Sequence, residues 1–571
     1  AVVTLALGIG ASTSIFTVVD GVLLKPLKYP EPDRLIAVHV QTGKYGDKWG
    51  FSYPDFLDCR RDSRTLGPVA AWTYSGGTIS SPGDAEYVDG RQISSDLFSV
   101  LEIPLLEGRF FTAAEDVTGG PSVAIISARL WQRRFAADRS AIGKTLTYEG
   151  KAFTVVGVAP SGFQLDGAVD VLTPLGQATE PRMHYRGAHF LHVVGRLRPG
   201  ATVANAQSEL SMIGQRLAKQ YPDSNDGITF APHRLQEELV RRIQSTLWLL
   251  LGAVSLVLLI ACVNVASLLL ARAVSREREL AIRTALGATR SRLVRQCLAE
   301  SALLGIFGGI LGLLLANYGS QPFVKFWPDS LPRATEVHLD WRVLLYVLGV
   351  SLASTFLFGL VPALRTPRTT LEQTLRSGAR TIAGRSKRLH SNFVISEISL
   401  AVVLLICAGL LGRTLLRLAT LNPGLDVHNL LTARVAFSPS ALSNPSQTRA
   451  AWREFAENLR QVPGVRNVAL TDIVPMREGE NVVGYWATPV PPPPNQAPIA
   501  LASAVSPDYL KVMGIPLLRG RFFNDNDRLD HAPVVVIDQN LARHAFGNEN
   551  PVGKRLWIQA MGSAPIEVIG V

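Results

Sequence analysis

Few residues in this chain have the types and spacing for chemistry, and most of those are explained by structure. Gly143-Lys144-Thr145 ends like a phosphate-binding loop, in which backbone N–H groups and a lysine cradle a polyphosphate. The upstream position that needs glycine holds Asp138, and a matching stretch further on reads Gly553-Lys554-Arg555. A turn into a strand accounts for both. Gly8-Ile9-Gly10 lacks the third glycine of a dinucleotide-binding turn and has no strand ahead of it, so it fits close helix packing through small residues. His184, His189 and His192 could suggest a metal, but the last two sit three apart on an expected strand and point to opposite faces. No HExxH, nucleophile elbow or paired CxxC occurs. The expectation is therefore no catalytic residue, no cofactor and no metal, with any ATP hydrolysis on a separate chain.

One cluster has a binding character. Arg276, Glu277, Arg278, Glu279, Leu280, Ile282, Arg283, Gly287 and Arg290 fall in a charged hinge between two apolar runs. On a short helix at a membrane surface, the glutamates and arginines would be exposed while Leu280 and Ile282 supply apolar contacts. Charges at such a surface set partner choice and orientation more than affinity. The plainer reading is a turn facing lipid headgroups.

The hinge is positioned by the runs around it. Residues 243–271 carry no Asp, Glu, Lys or Arg, and the charges vanish again from Ser301 to Val324. A bilayer core takes about twenty apolar residues as helix, and only helices or closed barrels satisfy their backbone there. Ala1 to Val19, Val343 to Leu364 and Ile398 to Gly412 read as further spans, about five in all. The first of them starts without Met or a basic flank and reads as a clipped helix. Asn264 and Ser267 inside the second span are expected to hydrogen-bond between helices. No charge lies at the centre of the long spans, which disfavours an ion-coupled transporter.

Bulk composition agrees. Hydrophobic residues make up 47% of the 571 and charged residues only 18%, low for a soluble protein. The net charge of +11 sits largely beside apolar runs, which suits a lipid bilayer and no nucleic acid. Arg272, Arg276, Arg278, Arg283, Arg290, Arg292 and Arg295 put the hinge in the cytoplasm, together with the basic linker 366–391. Both globular stretches then lie outside. Of the four cysteines, only Cys59 would face an oxidising compartment, so no internal disulfide is expected.

The outer stretches repeat. Ile103-Pro104-Leu105-Leu106-Glu107-Gly108-Arg109-Phe110-Phe111 is answered by Ile515-Pro516-Leu517-Leu518-Arg519-Gly520-Arg521-Phe522-Phe523. Val534 to Ile537 answers Val123 to Ile126, and Val568-Ile569-Gly570-Val571 answers Val155-Val156-Gly157-Val158. Strands are expected at Val123 to Ile126, Thr154 to Val158 and Leu191 to Leu197, with a helix N-capped by Thr202 running through Leu217. The second copy should hold a helix with Trp452, Phe455 and Leu459 on one face, then a strand near Val465 to Leu470. Pro491 to Pro494 reads as an exposed spacer.

One span, a large outer domain, three more spans and the SREREL-AIRTALGATRSRLVRQ turn resemble MacB/FtsX-type ABC transporter permeases. Gly359-Leu360-Val361-Pro362-Ala363 adds to the likeness. The internal duplication resembles the acidobacterial-type subgroup, here cut short at both ends. The resemblance implies an α-helical transmembrane protein with two large extracytoplasmic α/β (α+β) domains of the MacB periplasmic-core type. The expected layout is a first span at 1–24, an outer core at 25–242 and a three-helix FtsX-like domain at 243–365 with its hinge at 272–297. The basic linker at 366–391, a span at 392–418 and an incomplete second core at 419–571 follow. The resemblance also implies a bacterial inner-membrane permease subunit that passes ATP-driven motion from a separate cytoplasmic ABC ATPase subunit to the outer domains, for export or efflux. The hinge would dock on that ATPase, and a dimer or an envelope protein is a further possible partner. The rival expectation is a non-transport scaffold that regulates an envelope enzyme or partner through its outer domains.

Overall fold

A computed structural model describes residues 1–42, 46–81, 85–275, 290–326, 333, 336–363, 380–435, 437, 444–475, 481–492, 496–562 and 564–571. The chain divides into two compact units, Ala1–Lys28 with Gln236–Leu421, and Tyr29–Leu235 with Asn422–Val571.

The first unit is helical: α1 (Val2–Val19), α2 (Leu235–Ser275), α3 (Arg290–Phe326), α4 (Trp341–Ala363) and α5 (Arg380–Thr420). Helix α2 begins one residue earlier, in the other unit's last position. Among the described residues four stretches are long and apolar enough to cross a membrane by length and composition: Val2–Leu24, Leu235–Leu269, Ala299–Gly319 and Val394–Thr420. The fifth expected span corresponds to a shorter apolar stretch, Trp341–Phe356, whose helix continues to Ala363. Helices α2 and α5 have 41 residues each. At 1.5 Å per residue that is about 60 Å, roughly twice a bilayer core. The apolar runs in the sequence therefore mark only the middle of these helices.

The second unit holds two sheets. The first is built from β1 (Leu35–Thr42), β2 (Gly46–Trp49), β3 (Leu66–Tyr74), β4 (Gly77–Ser81), β5 (Glu86–Val88), β6 (Gly90–Ile93), β7 (Glu107–Gly108), β8 (Val123–Ser127), β9 (Thr145–Tyr148), β10 (Lys151–Ala159), β11 (Val171–Pro174), β12 (His192–Leu197) and β13 (Ile228–Arg234). Its order is β13-β1-β12-β3-β6-β11-β8-β10-β9-β4-β5, with β2 on β1 and β7 on β10. Pro232 is tolerated in β13 because that strand is an edge. Two cores form on this sheet. At one end Leu210, Ile213 and Leu217 of the helix Val203–Gln220 pack with Ile36, Val38, Phe51 and Phe230. At the other, Leu130 of the helix Ala128–Phe135 packs with Ile126, Leu146 and Val155. Thr202 caps the first of these helices, its hydroxyl accepting from the Asn205 N–H while the Asn205 side chain accepts from the Thr202 N–H.

The second sheet is smaller: β14 (Val482–Trp486), β15 (Ile499–Leu501), β16 (Val534–Val536), β17 (Arg555–Ile558) and β18 (Ile566–Gly570), in the order β15-β14-β17-β18-β16. Tyr485, Ile537, Ala542, Leu556 and Val568 form its core. The helix expected around Trp452 and Phe455 is present at Pro445–Arg460. The strand expected near Val465 to Leu470 is not formed. That stretch has no regular structure: the Val465 N–H donates to the Val462 carbonyl at 3.1 Å, the Ser506 N–H donates to the Leu470 carbonyl at 2.9 Å, and Thr471 bridges Val505.

Candidate functional site

Of the hinge residues, Arg276, Glu277, Arg278, Glu279, Leu280, Ile282, Arg283 and Gly287 lie outside the described residues. Arg290 is the first residue of α3. The proposed docking helix is therefore bracketed by α2, which runs to Ser275, and α3, which resumes at Arg290.

The helices that would carry motion from the hinge meet through small residues. A Cβ on Gly10 would stand 3.0 Å from the Leu315 Cβ and 3.1 Å from the Gly312 carbonyl oxygen, and a Cβ on Gly312 would meet Ile9 at 2.9 Å. Backbones can come this close only because both glycines lack a side chain. This is the packing role that Gly8-Ile9-Gly10 has here. Helix α4 adds a polar contact: the Tyr346 ring stacks on Phe16 at 3.9 Å, and its hydroxyl is 2.6 Å from Ser12 Oγ. Cys262 Sγ lies 3.5 Å from Ser354 Oγ. The interhelical hydrogen bond expected of Ser267 is not seen: its hydroxyl is buried with no hydrogen-bond partner among the described residues. Ser12 and Cys262 make cross-helix polar contacts, with Tyr346 and Ser354.

A denser polar network ties one end of this helical unit. Helix α1 finishes in a π-turn over Asp20–Leu24, and Pro26 then stops the helix. The carbonyls left over there are taken up by two side chains. Arg333 donates to the Val22, Lys25 and Pro26 carbonyls at 3.2, 2.7 and 2.8 Å. Gln236, in the first turn of α2, donates to the Leu23 and Lys25 carbonyls at 2.9 and 3.0 Å. Arg333 also grips Glu336 through two nitrogens, at 3.2 and 2.9 Å. Lys25 Nζ reaches Asp340 at 2.9 Å and lies 3.9 Å from Asp20, while Arg342 lies 3.7 Å from Asp20. Burial works against the Asp340 charge, but the hydrogen bond from Lys25 and the Val343 and Arg342 N–H groups outweigh it and hold the carboxyl below the usual range. Sequence reasoning missed this collar, whose partners lie more than three hundred residues apart.

In the outer unit, the repeated Ile-Pro-Leu-Leu arm has the same build in both copies. Gly108 has φ +82° and Gly520 φ +76°, and a Cβ on either would stand 2.2 Å from a carbonyl oxygen, of Val156 or of Ile569. The next residue closes a fork. Arg109 grips Glu115 at 2.7 and 2.9 Å, and Arg521 grips Asp527 at 2.7 and 2.8 Å. The guanidinium hydrogen bonds, with a backbone N–H from Thr112 or Asn524, hold each carboxyl down at about 2.

The remaining sequence candidates separate. Gly143 and Gly553 turn the chain toward β9 and β17. His192 opens β12 and stacks on Trp72 at 4.1 Å. His189 precedes that strand rather than lying on it, so the opposite-face argument does not apply; burial pushes its pKa down. Among the described residues no His, Cys, Asp or Glu side chains group as metal ligands. Cys59 is a free thiol that burial pushes up to about 12, an inert core residue.

Comparison with known proteins bears on this arrangement. The sequence matches the MacB-like periplasmic core domain over residues 1–213 and 394–571, and the FtsX-like permease C-terminal family over 251–371. A pyoverdine export ATP-binding/permease protein PvdT of Pseudomonas syringae pv. tomato is 26% identical over 290 residues, covering 50% of this chain and 42% of that protein. A macrolide export ATP-binding/permease protein MacB 2 of Aeromonas hydrophila is 24% identical over 372 residues, 62% of this chain and 54% of the relative. The chain thus spans about half the length of the curated relatives it matches. The crystal structure of the periplasmic region of MacB from Actinobacillus actinomycetemcomitans aligns with 40% of this chain and 95% of its own, at 14% identity and a TM-score of 0.29. Apolar helices long enough to span, two core-domain matches over more than half of the residues and an FtsX-like match set between them make this a membrane protein with extracytoplasmic domains, and the chain belongs to the MacB/FtsX-type ABC permeases.

Proposed function

We propose that this chain is the permease subunit of an ABC-type exporter in a bacterial inner membrane. A separate cytoplasmic ATPase docks on the hinge from Arg276 to Arg290, and its closure moves α2 and α3. The observation that supports this best is chain continuity. Strand β13 ends at Arg234 and the 41-residue helix α2 starts at Leu235, with no linker between them. A displacement of α2 then acts on β13 through a single peptide bond. The basic hinge belongs inside by the positive-inside rule, which leaves both cores outside. Relatives named as exporters of pyoverdine and macrolides favour export over a scaffold role.

Two measurements test this. The full chain, purified from membranes, should recover a stoichiometric ATPase, and a photo-crosslinker at Arg283 should join the two. Charge reversal, Arg283→Glu, should lower that recovery. Labelling of Arg283→Cys from outside intact cells would sink the orientation and the docking together. The relatives' names combine ATP-binding and permease functions, so an ATP-hydrolysing segment found on the same polypeptide would correct the assignment to a separate chain. An outer domain that keeps an envelope partner without any ATPase would favour the scaffold.

A further inference from the structure

We propose that Arg333 is a positioning residue of the transport cycle, clamping the end of α1 to the α3–α4 connection so that the ends of these helices move as one body. This rests on the permease reading above and adds to it the point where motion is handed over. Helix α1 ends in a π-turn, which leaves a run of carbonyls without helical donors, and Pro26 supplies no N–H of its own. Arg333 reaches three of those carbonyls from a chain segment more than three hundred residues away. A guanidinium has five donors in a rigid fork, so it can hold Val22, Lys25, Pro26 and Glu336 together, and its charge suits the negative end of a helix.

Three further features distinguish this from an incidental surface ion pair. The Arg333 residue is only 9% exposed. Its backbone sits at φ +59°, a conformation that costs a non-glycine residue free energy and persists where the surroundings fix it. The collar is also closed on its other side. Lys25 links Asp20 and Asp340, and Asp340 caps α4 by accepting from the Arg342 and Val343 N–H groups at 3.0 and 3.2 Å. Gln236 holds the first turn of α2 to the same carbonyls. The outgoing chain of α1, the start of α2 and the start of α4 thus share one knot.

The test uses the full chain with its ATPase in nanodiscs, with spin labels at Met212 and Leu529, both exposed. Arg333→Ala should leave nucleotide hydrolysis near wild type while the nucleotide-dependent change in label spacing is lost or reduced by about 2- to 30-fold. Arg333→Lys should recover only part of it, since an ammonium cannot fork across three carbonyls. A full spacing change in Arg333→Ala overturns the proposal. Should that variant fail to fold, Lys25→Met decides, because it opens the collar while leaving the arginine bonds in place; an undiminished change there overturns it equally. Hydrogen exchange of the amides from Asp20 to Lys25 gives a readout independent of transport. Faster exchange in Arg333→Ala supports the clamp and unchanged exchange refutes it, whereas a wild-type chain with no nucleotide response refutes only the permease reading.

Discussion

The two outer copies build one half of their sheet alike and the other half not at all alike. In the first copy β8, β10, β9, β4 and β5 are neighbours, and β16, β18, β17, β14 and β15 repeat that order in the second. Both contain a parallel pair, β10 on β8 and β18 on β16, and both skip a register at the same place, past Val156 and past Ile569. The carbonyl of the skipped residue accepts the N–H of the arm arginine at 2.9 Å in each copy, Arg109 or Arg521. The other half of the first sheet has no such echo. Strand β1 pairs with β12 and β13, and β3 with β12 and β6. In the second copy, residues 430–435 and Val465 to Leu470 are without a ladder. A strand is a property of a pair, so the same kind of segment is β only where it has a ladder partner.

The strongest way to break this comparison is in the cores. Phe230→Ala in the full chain should cost about 3–5 kcal/mol, measured by urea unfolding, because its fully buried ring packs on Phe51 at 4.5 Å in the half without an echo. Leu146→Ala and Leu556→Ala, at 0% and 1% exposure in matching positions, should cost about 2–5 kcal/mol and the same as each other. Unequal values would show that the shared half is not one structural unit.

Next in size are the arm glycines. Gly108→Ala and Gly520→Ala both force a Cβ against a carbonyl at positive φ, and each should destabilise its copy by about 1–3 kcal/mol. Hydrogen exchange read separately over β10 and β18 would assign the loss to the copy that carries the change.

Acid should sharpen the comparison further. Glu115 titrates at about 2 when folded against about 4.3 unfolded. The fork's contribution is therefore complete above the unfolded value and is lost as pH falls through that range toward about 2. Asp527 behaves in the same direction in the second copy. Glu115→Gln should flatten the acid limb of the stability profile for the first copy and leave the second unchanged.

The smallest effect is at the matching helix caps. Ser127 accepts from the Leu130 N–H and Asp538 from the Leu541 N–H, so Ser127→Ala and Asp538→Ala should each cost about 0.5–2 kcal/mol in thermal unfolding.

Much of this was legible in the sequence because it depends on near neighbours. The repeated arm, the strand from Val123, the helix capped by Thr202 and the small-residue packing of Gly10 are written in local pattern. That Val465 to Leu470 joins no ladder was not predictable, since strand pairing is decided by chain outside the segment. Nor was the collar, where Arg333 meets carbonyls of a helix end that no local signal connects to it. Apolar runs gave the middle of α2 and α5 but not their length, because charged turns at either end stay helical.

Edge strand β13 carries a consequence for how the protein is made. Ile36 can pair with Arg234 only after the intervening chain has been synthesised and moved across the membrane, and contacts so distant in sequence form slowly. Leu235, the next residue, already belongs to α2, a helix long and apolar enough to cross a membrane. Closing the first sheet therefore waits for the residues that immediately precede α2, and a ribosome paused before them would leave β1 unpaired on one side.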